Sequence, residues 1–368
     1  MRHNQRRWIV FLGIAMFTLG QFGCAPVTDR EARLEGVGTP RAAPEPGPAP
    51  RFAGDRFITA DGLSLPLRRW LPKGPPKAVF LALHGFNDYS HAFEEPGKAW
   101  AKDGIATYAY DQRGFGAAPG RGRWPGRFAL AADAATASEI LRRMYPHVPL
   151  YLLGESMGGA VAVVAMTGEG GAPVPQVDGV ILVAPAVWGR AVMGLAPKLV
   201  LWVGVRLFPA MKLTGRGLHI WASDNIPMLR ALARDRLVIK RTRVDTVWGL
   251  VNLMDAALAS APRLTAPLLL LYGAHDEIIP KRAFRRFARA LPPGPGRDRR
   301  LAYYGQGWHM LTRDLEGPLV IKDVASWALS RGAPLPSGAD HAGARFFGGL
   351  ASSRPGALSE TAQSRAHP

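Results

Sequence analysis

Residues 51–330 predict an α/β fold: a mostly parallel sheet of eight strands, helices on both faces, and a helical cap inserted at about 186–243. Three observations carry the prediction. Short apolar runs at 78–83, 180–183 and 268–272 alternate with helical stretches, the rhythm of a parallel sheet covered on both sides. Residues 151–166, YLLGESMGGAVAVVAM, pass from strand through a sharp turn into a small-residue helix. Between 186 and 243 the rhythm stops, leaving helical patches and no convincing strand.

The elements follow in order. Runs at 55–59 and 63–70 flank Asp61-Gly62, a hairpin signal that places an antiparallel pair at one edge. The strand at 78–83 ends in His84-Gly85-Phe86, and a helix over about 92–102 leads to a strand at 105–110 and then to DQRGFG. An alanine-rich helix over about 128–144 precedes the strand at 151–153. Beyond the insertion come a helix at 244–259, the strand at 268–272, a basic helix from Lys281, a strand near 301–304 and a helix over 311–329. The helix KRAFRRFARA spaces Phe284, Phe287 and Leu291 for burial, so its arginines form a solvated face. Residues 26–50 read as a Pro-rich spacer and 331–368, poor in large apolar residues, as a disordered tail.

Gly154, Ser156 and Gly158 fill the fixed places of G-x-S-x-G, in which a strained turn presents a serine hydroxyl. A hydroxyl attacks only when a base removes its proton, and histidine is that base near neutral pH. His309, in GQGWHML after the last strand, sits at a strand end. His3, His341 and His367 lie in the chain's ends, and His91, His147 and His219 lack that setting. Asp276 in YGAHDEIIP follows another strand and is suited to orient the imidazole, with Glu277 as its rival. Charge developing on an acyl oxygen needs preorganised N–H donors. The Met157 amide at the helix start and the Phe86 amide after the strand at 78–83 are the candidates, and His84 reads as structural.

LALHGFNDYS, DQRGFG, GESMGG, YGAHDEIIP and GWHML, in that order, resemble the monoacylglycerol lipase and lysophospholipase branch of the α/β-hydrolases. The resemblance covers about residues 55–330. It implies a catalytic triad of Ser156, Asp276 and His309, an oxyanion hole from the Phe86 and Met157 amides, a cap at 186–243, and acyl ester or lipid substrates without metal or organic cofactor. One departure is Ala117-Ala118-Pro119 after Gly116, where members often carry a serine. Two rival readings are a peptidase or amidase using the same triad, and a non-catalytic lipid-binding protein on the same fold. Cap residues Leu195, Leu199, Trp202, Val203 and Phe208 either pack on the body or form an acyl pocket or lipid-facing surface.

The net charge of +18 comes from 46 Lys and Arg, mostly arginine and spread along the whole chain, against 28 Asp and Glu. A general arginine bias or attraction to anionic lipid accounts for it, and without a nucleic-acid-reading motif nucleic acid is not an expected partner. The single cysteine, Cys24, excludes an internal disulfide and a cysteine metal site. Residues 1–25 place three arginines before an apolar run and then Gly23-Cys24, in the form of an export signal. A helix over 8–22 would cover about 22 Å, short of the roughly 30 Å bilayer core. The cysteine resembles the lipid-attachment site of bacterial lipoproteins, and an uncleaved anchor or plain secretion are the alternatives. Each places the folded part outside the cytoplasm.

Overall fold

The computed structural model describes residues 49–348 except 172, 216, 218 and 293–298. Its centre is one nine-stranded sheet in the order β1-β2-β3-β5-β4-β6-β7-β10-β11. The strands are β1 (Arg51–Ala53), β2 (Arg56–Ile58), β3 (Ser64–Trp70), β4 (Ala78–Leu83), β5 (Ile105–Tyr110), β6 (Leu150–Glu155), β7 (Gly179–Val183), β10 (Leu268–Gly273) and β11 (Arg299–Tyr304). Strands β1 to β3 run antiparallel and join β5 antiparallel, whereas β4 to β11 within the sheet pair in parallel. The expected eight strands are all present. The ninth is β1, whose three residues are too few to show a pattern in the sequence.

Alternate residues along a strand point to opposite faces, and here both faces are apolar. Val79, Leu81, Leu152, Leu182 and Leu270 join one buried cluster with α2 (Arg127–Met144), α3 (Met157–Met166), α6 (Val244–Ser260) and α7 (Lys281–Ala290). Phe80, Leu153, Ile181, Val183 and Leu271 join the other with α1 (Glu94–Lys102) and α8 (Gly317–Leu329). Two-sided burial explains why these strands read as unbroken apolar runs.

The cap over 186–243 holds α4 (Leu195–Leu207), α5 (Ile226–Arg234) and a two-residue ladder, β8 (Lys212–Leu213) with β9 (Thr242–Arg243). Helix α4 rests on the body through Val205 and Leu201, but the apolar residues singled out in the sequence point away from it. Leu195 is 83% exposed, Leu199 62% and Trp202 48%.

Two expectations are corrected. Helix α8 starts at Gly317 rather than 311, because Pro318 occupies its first turn and residues 310–317 curl into successive turns ahead of it. The tail is not disordered throughout: α9 (Ala339–Gly348) lies along the edge strand β11. Phe346 stacks on Tyr303 with ring centroids 4.2 Å apart, and Phe347 meets Phe284 at 5.8 Å. Two adjacent aromatics in a glycine- and alanine-rich segment bury enough surface to dock a short helix and cover an exposed sheet edge. Replacing both (F346A/F347A) is expected to lower folding stability by about 2–4 kcal/mol in chemical denaturation; an unchanged midpoint would show that α9 does not brace the edge.

Candidate active site

Parallel strands bring their carboxyl ends to one rim, where ligands of open α/β sheets bind. The turns after β4, β6, β10 and β11 carry Phe86, Ser156, Asp276 and His309 respectively. All four sequence-selected segments therefore meet at the same edge.

Ser156 stands between β6 and α3 with φ 52° and ψ −114°, a conformation that is costly for a residue with a side chain. The turn is held from outside. Ser156 N donates to Val183 O at 2.9 Å and Ser156 O accepts from Ala186 N at 2.9 Å. A Cβ at Gly154 would lie 2.4 Å from Gly158 O, and one at Gly158 2.0 Å from Leu83 O. The chain can cross itself this closely only with glycine at both places.

His309 Nε2 lies 2.9 Å from Ser156 Oγ, and its Nδ1 lies 2.9 Å from Asp276 Oδ2. An ionised carboxylate only accepts, so Nδ1 carries the ring proton and Nε2 is left to accept from the serine hydroxyl. Asp276 Oδ1 is occupied by the amides of Ile278 and Ile279 at 2.9 and 2.8 Å, which fixes its plane. The rival Glu277 turns elsewhere and accepts from Trp221 N at 2.8 Å. Burial pulls the His309 imidazole down, but the charge and hydrogen bond of Asp276, with the charge of Glu155, outweigh it and hold its pKa above 6.5. Protonation therefore favours the fold: the contribution is complete below the ordinary value and is lost as pH rises through the folded one. Acceptance of a serine proton needs the opposite, neutral form.

Met157 opens α3, and Phe86 follows Gly85, whose missing Cβ would lie 3.4 Å from Ser156 Cβ. The structure thus seats the β4 loop against the serine. His84 is fully buried. Its Nδ1 donates to Gly85 O at 2.8 Å and its Nε2 accepts from Gln112 N at 2.9 Å, a pairing that requires the neutral ring. Burial lowers its pKa accordingly.

Several groups at this rim have no motif to announce them. Arg313 donates to Asp88 Oδ2 at 2.7 Å and to Glu155 Oε1 at 2.6 Å, and all three side chains are buried. Cap residue Ala222 accepts through its carbonyl from His309 N and Met310 N at 3.1 and 3.0 Å. Ser223 donates to Asp314 at 2.6 Å, while Asp314 also accepts from Trp308 N at 2.7 Å. The loop after β4 is tied to the cap as well, through Ile239 N to Asn87 O at 2.9 Å and Tyr89 Oη to Asp235 at 2.7 Å. Only the position of Glu155 beside the serine could have suggested any of this from sequence. Cys24 lies outside the described residues, and among the described residues there is no cluster of His, Cys, Asp and Glu able to hold a metal ion.

A model of the Hydrolase_4 family, described as serine aminopeptidase S33, matches residues 74–316. The chain belongs to that family. Among proteins similar to this S33 hydrolase, a monoglyceride lipase of Rattus norvegicus is 27% identical over 285 residues, covering 75% of this chain and 90% of that protein. A monoacylglycerol lipase of Mycolicibacterium smegmatis is 26% identical over 291 residues, covering 74% and 96%. The solved structure of a soluble variant of monoglyceride lipase from Saccharomyces cerevisiae superposes with a TM-score of 0.61 at 17% identity, covering 80% of this chain and 100% of that one. This last likeness establishes the α/β-hydrolase fold.

Asp276→Asn in this S33 hydrolase is expected to lower kcat by about 10⁴-fold. The acid limb of its residual kcat/KM profile should move to lower pH, since the largest upward pull on His309 is gone. A limb that stays in place would show that Asp276 does not set the charge state of the base.

Proposed function

We propose that this S33 hydrolase cleaves the carboxylic ester of monoacylglycerols, lysophospholipids and similar single-chain acyl esters through an acyl-Ser156 intermediate. The observation that carries the reading is the unbroken chain from Ser156 Oγ through His309 to Asp276, each link 2.9 Å long. In the first half-reaction Ser156 Oγ attacks the acyl carbon while its proton passes to His309 Nε2, and the Met157 and Phe86 amides meet the developing oxyanion. Collapse of the tetrahedral intermediate breaks the ester bond, and the leaving alcohol takes the proton from His309. Water then attacks the acyl-enzyme, giving its proton to the same nitrogen, and the fatty acid leaves with Ser156 restored.

Two features favour an ester over a peptide. Recognition of a free amino terminus calls for a carboxylate near the serine, yet Glu155 and Asp88 are both engaged by Arg313. Relatives aligned over most of both chains bear the names monoglyceride lipase and monoacylglycerol lipase. The outward apolar face of α4, with Leu195, Leu199, Trp202 and Phe208 exposed, suits an enzyme whose substrate resides in a lipid phase. A non-catalytic role is disfavoured because no member of the triad is missing.

The same reading extends to place. Among the described residues no helix is long and apolar enough to cross a membrane. A lipid on Cys24, followed by the Pro-rich spacer at 26–50, would tether the folded body to the outer side of a bacterial membrane and keep it near its substrate.

Ser156→Ala should reduce hydrolysis of a monoacylglycerol by about 10⁶-fold and abolish covalent labelling by a fluorophosphonate, with the fold retained. A wild-type protein that turns over aminoacyl amides faster than matched acyl esters would overturn the ester reading. For the tether, Cys24→Ser should move the protein from the membrane to the soluble fraction or stop its processing; unchanged fractionation would count against lipidation.

A further inference from the structure

We propose that Arg313 is a positioning residue for the reaction: from its seat on the base loop, one guanidinium holds the oxyanion loop through Asp88 and the nucleophile turn through Glu155. The inference rests on the ester-hydrolase reading and adds a component that neither the triad nor the oxyanion amides include. Arg313 follows His309 by four residues, in a turn closed by Arg313 N to Met310 O at 2.7 Å. Its Nη1 reaches Asp88, two residues beyond Phe86, at 2.7 Å, and its Nη2 reaches Glu155, directly before Ser156, at 2.6 Å. Asp88 transmits the hold locally, because its Oδ1 accepts from Tyr89 N at 2.9 Å and its own N donates to Gly85 O at 3.3 Å. The Phe86 amide lies inside that turn.

Stability alone is a poor reason for this cluster. The three side chains are only 9%, 8% and 2% exposed, and burying such charges costs more than packing apolar groups of the same volume. Glu155 Oε2 and Arg313 Nε find no partner within the described residues, so the network is not even fully satisfied. What it supplies is geometry. A planar fork fixes two carboxylates relative to each other, which a lysine ammonium cannot do. It also supplies a local charge balance beside the base. The groups acting on His309 are Asp276 and Glu155, which raise its pKa, and Arg313, which lowers it. Arg313 thus offsets the carboxylate nearest the nucleophile and favours the neutral imidazole that the reaction needs.

Arg113 provides an internal control. It bridges Asp61 and Asp133 with the same fork chemistry, at 2.6 and 2.5 Å, on the turn after β5. The experiment compares R313K, R313Q and R113K in the full chain by thermal midpoint, fluorophosphonate labelling rate per folded molecule, and kcat and KM on a soluble acyl ester across pH. R313K is expected to lose about 10²-fold in labelling rate and kcat with KM unchanged, as displaced reacting groups do. R313Q should in addition move the acid limb to higher pH, and R113K should lower the midpoint without changing labelling per folded molecule. Wild-type labelling by folded R313K, or an acid limb unmoved in R313Q, would overturn the proposal. Should both Arg313 variants fail to fold, E155Q decides: slower labelling with an acid limb moved to lower pH supports it, and wild-type behaviour refutes it. Labelling does not depend on which ester is the substrate. A wild-type protein that labels but leaves monoacylglycerols and lysophospholipids intact would therefore sink the substrate assignment while leaving this test in force.

Discussion

The backbone of Ser156 is the constraint around which the rest is arranged. A left-handed residue between strand and helix is unstable by itself, and it persists here because glycines on either side let β6, α3 and β4 close around it. The parallel sheet contributes the other half. It aligns the ends of β4, β10 and β11 on the same rim, so that loops distant in sequence can reach one hydroxyl. The His309 to Ser156 contact spans 153 positions of chain, and strand register brings its two loops to the same rim.

Charge at this rim is concentrated and buried. Asp276, Glu155, Asp88 and Asp314 lie close to the reacting groups, and Arg313 is the cation that engages two of them. The balance places His309 between opposing demands, since the protonated ring suits the fold and the neutral ring suits proton acceptance. Such a compromise is characteristic of functional sites, where local electrostatics serve chemistry at some expense to stability.

Much of this was legible in the sequence because the physics is local. Fully buried strands are contiguous apolar runs, a nucleophile turn demands closely spaced glycines, and a loop carrying Asp276 or His309 follows its strand immediately. Strand β1 was not legible, for three residues, two of them exposed, carry no pattern. Helix α9 was missed because its docking rests on a few scattered residues, Ala339, Gly343, Phe346 and Phe347, in a segment whose average composition hides them. The Arg313 cluster was invisible for a different reason. Its members come from three loops, and no spacing rule connects residues 88, 155 and 313.

The cap combines an inner and an outer face with different chemistry. Inside, Ala222, Ser223 and Asn225 bond to the loop of His309, Trp221 bonds to Glu277, and Asn87 and Tyr89 of the loop after β4 bond to residues 235–242. Outside, α4 turns its large apolar side chains to solvent. These contacts are directional hydrogen bonds to backbone as well as side chains, so a shift of the cap by even an ångström would stretch several of them together. An insertion that reads in the sequence as an interruption of the sheet's rhythm is, in the folded chain, bonded to three of the loops that meet at the strand-end rim.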